Sequence, residues 1–135
     1  MLGCVFLAGI LFGFSSCTAR RGPTVRLIIP DGLTGLIQIV RDPSGAMVGL
    51  ENGEYVYRIP RGGVLKVKDT LGFERWHYTK ANFVSGQHLP LYPANQPQDV
   101  ALFEVGSSSS GKKFLFVGTE QQKENAMRDS FNLLR

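Results

Sequence analysis

Apolar residues follow three regimes along this chain. From Met1 to Ser16 they are nearly continuous, with no charged side chain among them. From Thr24 onward they break into short β-branched and aromatic runs cut by Gly and Pro, the rhythm of a sandwich or barrel. Near the C-terminus Met127, Phe131 and Leu134 recur at spacings of four and three, which lines one face of a helix. The middle regime predicts strands at Val25–Ile29, Thr34–Arg41, Met47–Leu50, Glu54–Ile59, Val64–Lys68, Arg75–Thr79, Val100–Glu104 and Lys112–Gly118. Turn chemistry separates most of them: Pro30-Asp31-Gly32, Asp42-Pro43-Ser44-Gly45, Glu51-Asn52-Gly53 and Pro60-Arg61-Gly62-Gly63 supply a fixed φ or a permitted positive one. The fold expected is mainly β, an antiparallel β-sandwich of about seven or eight short strands with one C-terminal α-helix over 120–134. Thr119, with Gln122 three residues on, is a capping-box pattern that starts this helix.

Two stretches break the rhythm. His88 to Asp99 holds three prolines and reads as an extended crossover. Ser107 to Gly111 reads as a flexible loop tip.

Alternation also assigns faces. In Arg75-Trp76-His77-Tyr78-Thr79, burying Trp76 and Tyr78 covers more apolar area than burying Arg75 and Thr79, so the aromatic pair is expected in the core and His77 in solvent. The reverse assignment would expose a pair suited to stacking on sugar rings. If Arg61-Gly62-Gly63 forms a three-residue hairpin, Ile59 pairs with Leu65 and Tyr57 with Val67 on an apolar face. Arg58 then opposes Lys66 on the other face, with Lys68 beside them. That opposition is either a tolerated repulsion or, with Arg61, a shallow cationic face of Arg58, Arg61, Lys66 and Lys68 for an anionic envelope component.

Length and charge narrow the classes. The 135 residues support one domain over 24–135, preceded by a short linker at 17–23. Two of the four net positive charges come from Arg20 and Arg21, so the folded body is only weakly basic and gives no reason to expect nucleic acid as a partner. The two cysteines are Cys4 and Cys17, which leaves the domain without a disulfide, a thiol nucleophile or a cysteine metal site.

Residues 1–16 suit the apolar core of an export signal and are short for a spanning helix. Gly13-Phe14-Ser15-Ser16-Cys17 resembles the lipobox of bacterial lipoproteins, in which Cys17 would be lipidated and become the mature N-terminus. Phe14 departs from the Leu, Val or Ile usual there. Two other endings stay open. Cys17-Thr18-Ala19 satisfies an ordinary signal-peptidase site, and an uncleaved anchor ending at Arg20-Arg21 would tend to hold the domain on the cytoplasmic side. No Lys or Arg precedes the apolar run, as would follow from a start codon placed too late.

Motifs for catalysis are sparse. The sequence holds no G-x-S-x-G elbow, H-E-x-x-H pair, P-loop or G-x-G-x-x-G. Ser44 and Ser85 precede glycines where turns want that pair. His77 and His88 are the only imidazoles, and a shared metal would need a third ligand such as Asp99.

Three segments carry a family resemblance: Ile29-Pro30-Asp31-Gly32-Leu33-Thr34-Gly35-Leu36-Ile37, Tyr57-Arg58-Ile59-Pro60-Arg61-Gly62-Gly63-Val64-Leu65 and Phe116-Val117-Gly118-Thr119. Together they resemble a family of small uncharacterised bacterial envelope domains, often behind lipoprotein signals, with I-P-x-G-x-x-G and Y-x-I-P-x-x-G turns. The Ile-Pro turns are also similar to those of transthyretin-like sandwiches. The resemblance implies fold and compartment and carries no activity.

The function expected is therefore a non-catalytic cell-envelope lipoprotein, a binding or structural module anchored by lipid at Cys17, with no cofactor and no metal. The alternatives are an envelope hydrolase with a site assembled from scattered residues such as His77 and Asp99, and an accessory or inhibitory protein acting through its C-terminal helix.

Overall fold

The computed structural model describes residues 22–132, with side chains described as far as Ser130. The leader, Cys17 and its alternative endings lie outside these residues, as do the side chains of Phe131 and Leu134. Nine strands and one helix follow in order: β1 (Thr24–Ile29), β2 (Gly35–Ala46), β3 (Leu50–Glu51), β4 (Glu54–Arg58), β5 (Val64–Val67), β6 (Tyr78–Phe83), β7 (His88–Leu89), β8 (Ala101–Ser107), β9 (Lys113–Gly118) and α1 (Glu120–Asn132). They form two sheets, one ordered β3-β4-β1-β6-β7 and the other β5-β2-β9-β8.

A period-two alternation of side chains builds the core. In β1, Val25, Leu27 and Ile29 turn inward and are fully buried, while Thr24, Arg26 and Ile28 face out. Ile37 and Ile39 of β2 and Leu115 and Val117 of β9 meet them from the second sheet, in one cluster with Tyr57, Val67, Ala81, Leu89 and Leu102. The Tyr57 hydroxyl, buried with its ring, donates to the Leu71 carbonyl at 2.6 Å. A smaller cluster of Ala101, Phe103 and Phe116 lies on the outer side of the second sheet, where Ala126 of α1 packs on it. The sandwich and its C-terminal helix are as expected.

The sheets, however, are mixed and not antiparallel throughout. β1 pairs in parallel with both β4 and β6, and β2 pairs in parallel with β5. Two of the four Gly/Pro turns explain this, because they carry the chain from one sheet to the other and do not fold it back on itself. Pro30 to Leu33 closes with Leu33 N–H on the Pro30 carbonyl at 3.1 Å and delivers β1 of the first sheet into β2 of the second. Pro60 to Gly63 closes in the same way at 2.9 Å and takes β4 into β5. The expected Tyr57–Val67 hairpin is thus not formed: β4 lies against β1, and β5 lies against β2 with Gln38 opposite Val64. Asn52-Gly53, both at positive φ, does make the tight hairpin that its sequence announces, between β3 and β4.

Several boundaries differ: β2 runs on to Ala46 through the turn expected at Asp42–Gly45, and the strand expected at Met47–Leu50 is only Leu50–Glu51. The strand expected at Arg75–Thr79 runs instead from Tyr78 to Phe83, because Thr79, Ala81 and Phe83 take the alternate inward positions. The crossover from His88 begins as the short strand β7, and residues 90–92 then lie along β8, with Leu102 N–H on the Pro90 carbonyl and Tyr92 N–H on the Leu102 carbonyl.

Candidate functional site

The four cations singled out from the sequence do not share a face. Alternation in β4 sends Arg58 outward from the first sheet, and alternation in β5 sends Lys66 outward from the second. Arg58 is held bidentate by Glu51, with both nitrogen-to-oxygen distances at 2.8 Å. The guanidinium holds the Glu51 carboxyl below the usual carboxylate range, and Glu51 in turn raises Arg58. Lys66 Nζ lies 3.7 Å from Asp42, whose acidity owes more to the Ser44 hydroxyl and backbone N–H than to the lysine. Arg61 and Lys68 are exposed, and among the described residues neither has a carboxylate within salt-bridge distance.

A charged network on the outer face of the first sheet was not anticipated. Glu54 of β4 accepts from Arg26 of β1 and, at 2.7 Å, from Lys80 of β6. Arg26 also reaches the Asn82 side-chain carbonyl at 3.4 Å. These two donors pull the Glu54 carboxyl down to about 2, the Arg26 hydrogen bond contributing most. The network ties three parallel strands together. Its signal in the sequence was the alternation of charged and apolar residues in each strand, which names a face without naming the partners across it.

The two histidines occupy separate places. His77 is largely covered, with Nδ1 at 2.7 Å from the Arg75 carbonyl oxygen and its ring edge-to-face with Phe73 at 5.1 Å. His88 is exposed on β7 opposite Asn82. Asn82 is near the far end of β6, whereas His77 immediately precedes its start, so the two histidines lie at opposite ends of that strand. Asp99 accepts the Gln96 N–H at 3.1 Å, a local turn contact. Among the described residues no three His, Cys, Asp or Glu side chains gather to hold a metal.

The aromatic pair is placed opposite to expectation. Trp76 is 65% and Tyr78 46% exposed, their rings edge-to-face at 4.5 Å. Core space near His77 is taken by Phe73, which stacks at a tilt on the buried Tyr57 at 4.9 Å, so the area argument fails because the interior is already filled. A groove of about 570 Å³ opens elsewhere, between β8, the 91–92 segment and α1, lined by Leu91, Tyr92, Phe103, Val105 and Met127 with Lys123 at its wall. Lys123 Nζ stands 5.0 Å from the Phe103 ring and 5.6 Å from the Tyr92 ring, which themselves stack at 4.7 Å. Chemically the groove is suited to an apolar group, with the Lys123 ammonium and the Glu104 carboxylate both in its lining.

Neither a protein-family model nor a curated protein matches this chain. Among solved structures it is similar to a Bacillus anthracis protein provisionally assigned as a lipoprotein, at 16% identity and a TM-score of 0.46, over 83% of this chain and 93% of that one.

Proposed function

We propose that this chain is a non-catalytic cell-envelope lipoprotein: residues 1–16 direct export, Cys17 carries the lipid, and the sandwich is a binding or structural module held at the membrane. The observation that supports this is where the packed domain starts. β1 begins at Thr24, is flanked on both sides by β4 and β6, and buries Val25 completely. The sandwich therefore offers no pairing edge on β1 for a preceding segment, and the core among the described residues is built from side chains between Val25 and Val117.

The test is the intact mass of the protein in the membrane fraction of its host. A mass equal to residues 17–135 plus acyl chains is expected, and loss of those acyl chains on Cys17→Ser. The unprocessed mass sinks the reading.

Within that role an anionic envelope component is the partner class favoured by Arg61 and Lys68, the two of those four cations without a carboxylate partner among the described residues. Arg58 and Lys66 contribute less, since carboxylates already offset them. Salt-sensitive association of the purified domain with envelope fractions, lost when Arg61 and Lys68 are both replaced by Ser, is the expected outcome. Salt-insensitive association rules the anionic partner out.

A further inference from the structure

We propose that Trp76 and Tyr78 dock the domain onto the bilayer surface that holds its own lipid anchor, fixing which face of the sandwich meets the membrane; this rests on the lipid attachment at Cys17 argued above.

The chain enters the fold against this aromatic pair. Gly22 lies flat against Trp76: a Cβ there would fall 2.4 Å from the Trp76 carbonyl oxygen and 2.7 Å from the indole Cε3, so only glycine lets the backbone pass. One residue on, the Pro23 carbonyl accepts the Tyr78 N–H at 2.9 Å, and Thr24 stands opposite Tyr78 in the β1–β6 register. The aromatic pair thus flanks the entry point of the polypeptide.

Cys17 precedes Gly22 by five residues. Fully extended, that stretch spans at most about 18 Å at about 3.6 Å per residue, less than the width of a small domain. A lipid on Cys17 therefore keeps this end of the sandwich at the bilayer surface, whatever the rest of the domain does. The side chains found there are the two that most favour the membrane–water interface, an indole and a phenol, each with an apolar body and a polar tip.

Charge is arranged in the same sense. Arg20 and Arg21 lie in the tether, Arg75 is exposed beside Trp76, and Lys80 follows Tyr78 on the same outer face. Glu74 and Glu54 oppose them, with Glu54 already engaged by Arg26 and Lys80. The balance at this end is cationic and suits an anionic lipid surface. A sugar platform would need aromatic exposure as well, but it would have no reason to sit against the chain entry.

Trp76 is the only tryptophan in the chain, so its fluorescence reports on this contact alone. The full processed protein is reconstituted into vesicles of phosphatidylethanolamine with phosphatidylglycerol, its acylation checked by mass. Trp76 emission is then quenched by headgroup spin-labelled lipid and, separately, by aqueous acrylamide. Docking predicts strong quenching by the lipid label and acrylamide quenching reduced about threefold or more relative to detergent-solubilised protein. Tyr78→Ser is expected to weaken the lipid quenching while leaving the melting temperature unchanged, since the ring is exposed. Acylated protein whose Trp76 stays open to acrylamide and blind to the lipid label overturns docking and leaves the anchor standing. Protein without acyl chains overturns both. Shielding of Trp76 that appears only when envelope glycan or protein is added assigns the pair to another occupant and overturns docking as well.

Discussion

Glu54 is the residue whose removal tests the electrostatics of this fold most directly. Glu54→Gln keeps the shape of the side chain and takes away the negative charge between Arg26 and Lys80. The folded carboxyl sits at about 2 against an ordinary value of 4.5, so over that interval the folded state binds fewer protons than the unfolded one. Stability from this group is therefore complete above about pH 5 and is lost as pH falls toward 2. Unscreened, the shift corresponds to about 3 kcal/mol. Glu54 itself is 15% exposed, but Arg26 and Lys80 are 37% and 55% exposed, and water screens both partners. The expected cost of the substitution at pH 7 is about 1–2 kcal/mol.

Urea unfolding of both proteins at a series of pH values reads this out, since a single domain of this size is expected to unfold in one step. The wild type should exceed Glu54→Gln by that margin at neutral pH, and the two should converge near pH 2. The lowered carboxyls of Asp42 and Glu51 are present in both proteins and cancel in the difference. A gap that persists unchanged to pH 2 would mean that the loss is one of packing, and equal stability at pH 7 would mean that the network contributes nothing.

Two further outcomes follow from close approaches and caps. Gly45 lies where β2 bulges against β5, and a Cβ there would fall 2.5 Å from the Val67 nitrogen and 2.6 Å from its carbonyl carbon. Gly45→Ala is expected to destabilise by about 2–3 kcal/mol, whereas Gly62→Ala, which meets open space at an ordinary φ, should be close to neutral; thermal melts of the pair check this. At the helix start the Thr119 hydroxyl accepts the Gln122 N–H at 3.2 Å and the Gln122 side chain accepts the Thr119 N–H at 2.9 Å. Thr119→Ala should cost about 1 kcal/mol locally, seen as roughly fivefold faster hydrogen exchange of the first-turn amides of α1 with β-sheet protection unchanged.

What could be read from the sequence was local, and what could not was pairing. The capping box at Thr119 and Gln122 formed as read because both partners lie within one turn. The strands at β1 and β2 were legible from their β-branched and apolar runs, but Ile28, Leu36 and Val40 face outward beside Val25, Leu27, Ile29, Ile37 and Ile39, so residue type alone does not name their inward face. Lys80 and Asn82 hid β6, since a strand with a charged outer face and Ala81 at its centre has weak β composition. Trp76 was misplaced because side-chain area states what burial would contribute and not whether space remains. The cationic face failed for a different reason: it depended on a hairpin, and a turn sequence fixes φ at a few residues without fixing which sheet the chain enters next.

That last point accounts for the parallel pairing. Ile29-Pro30 and Ile59-Pro60 open two turns of the same kind, each closed by an N–H returning to the proline carbonyl and each preceded by a buried isoleucine. Read as hairpins, they would generate two independent antiparallel pairs. As arches between sheets they are two copies of one unit, strand, turn and strand, and copies laid side by side must run the same way. β4 then falls beside β1 in one sheet and β5 beside β2 in the other, both parallel. The arches are joined at the turn itself, where Ile59 N–H bonds to the Ile28 carbonyl and Gln38 N–H to the Gly63 carbonyl. Gly63 sits at positive φ with its α-carbon against the Leu36 carbonyl, so its missing side chain lets the second arch close onto the first. The repeated Ile-Pro motif thus encodes the sheet topology as well as two turns, and it leaves the outward charges of β4 and β5 on opposite sides of the molecule.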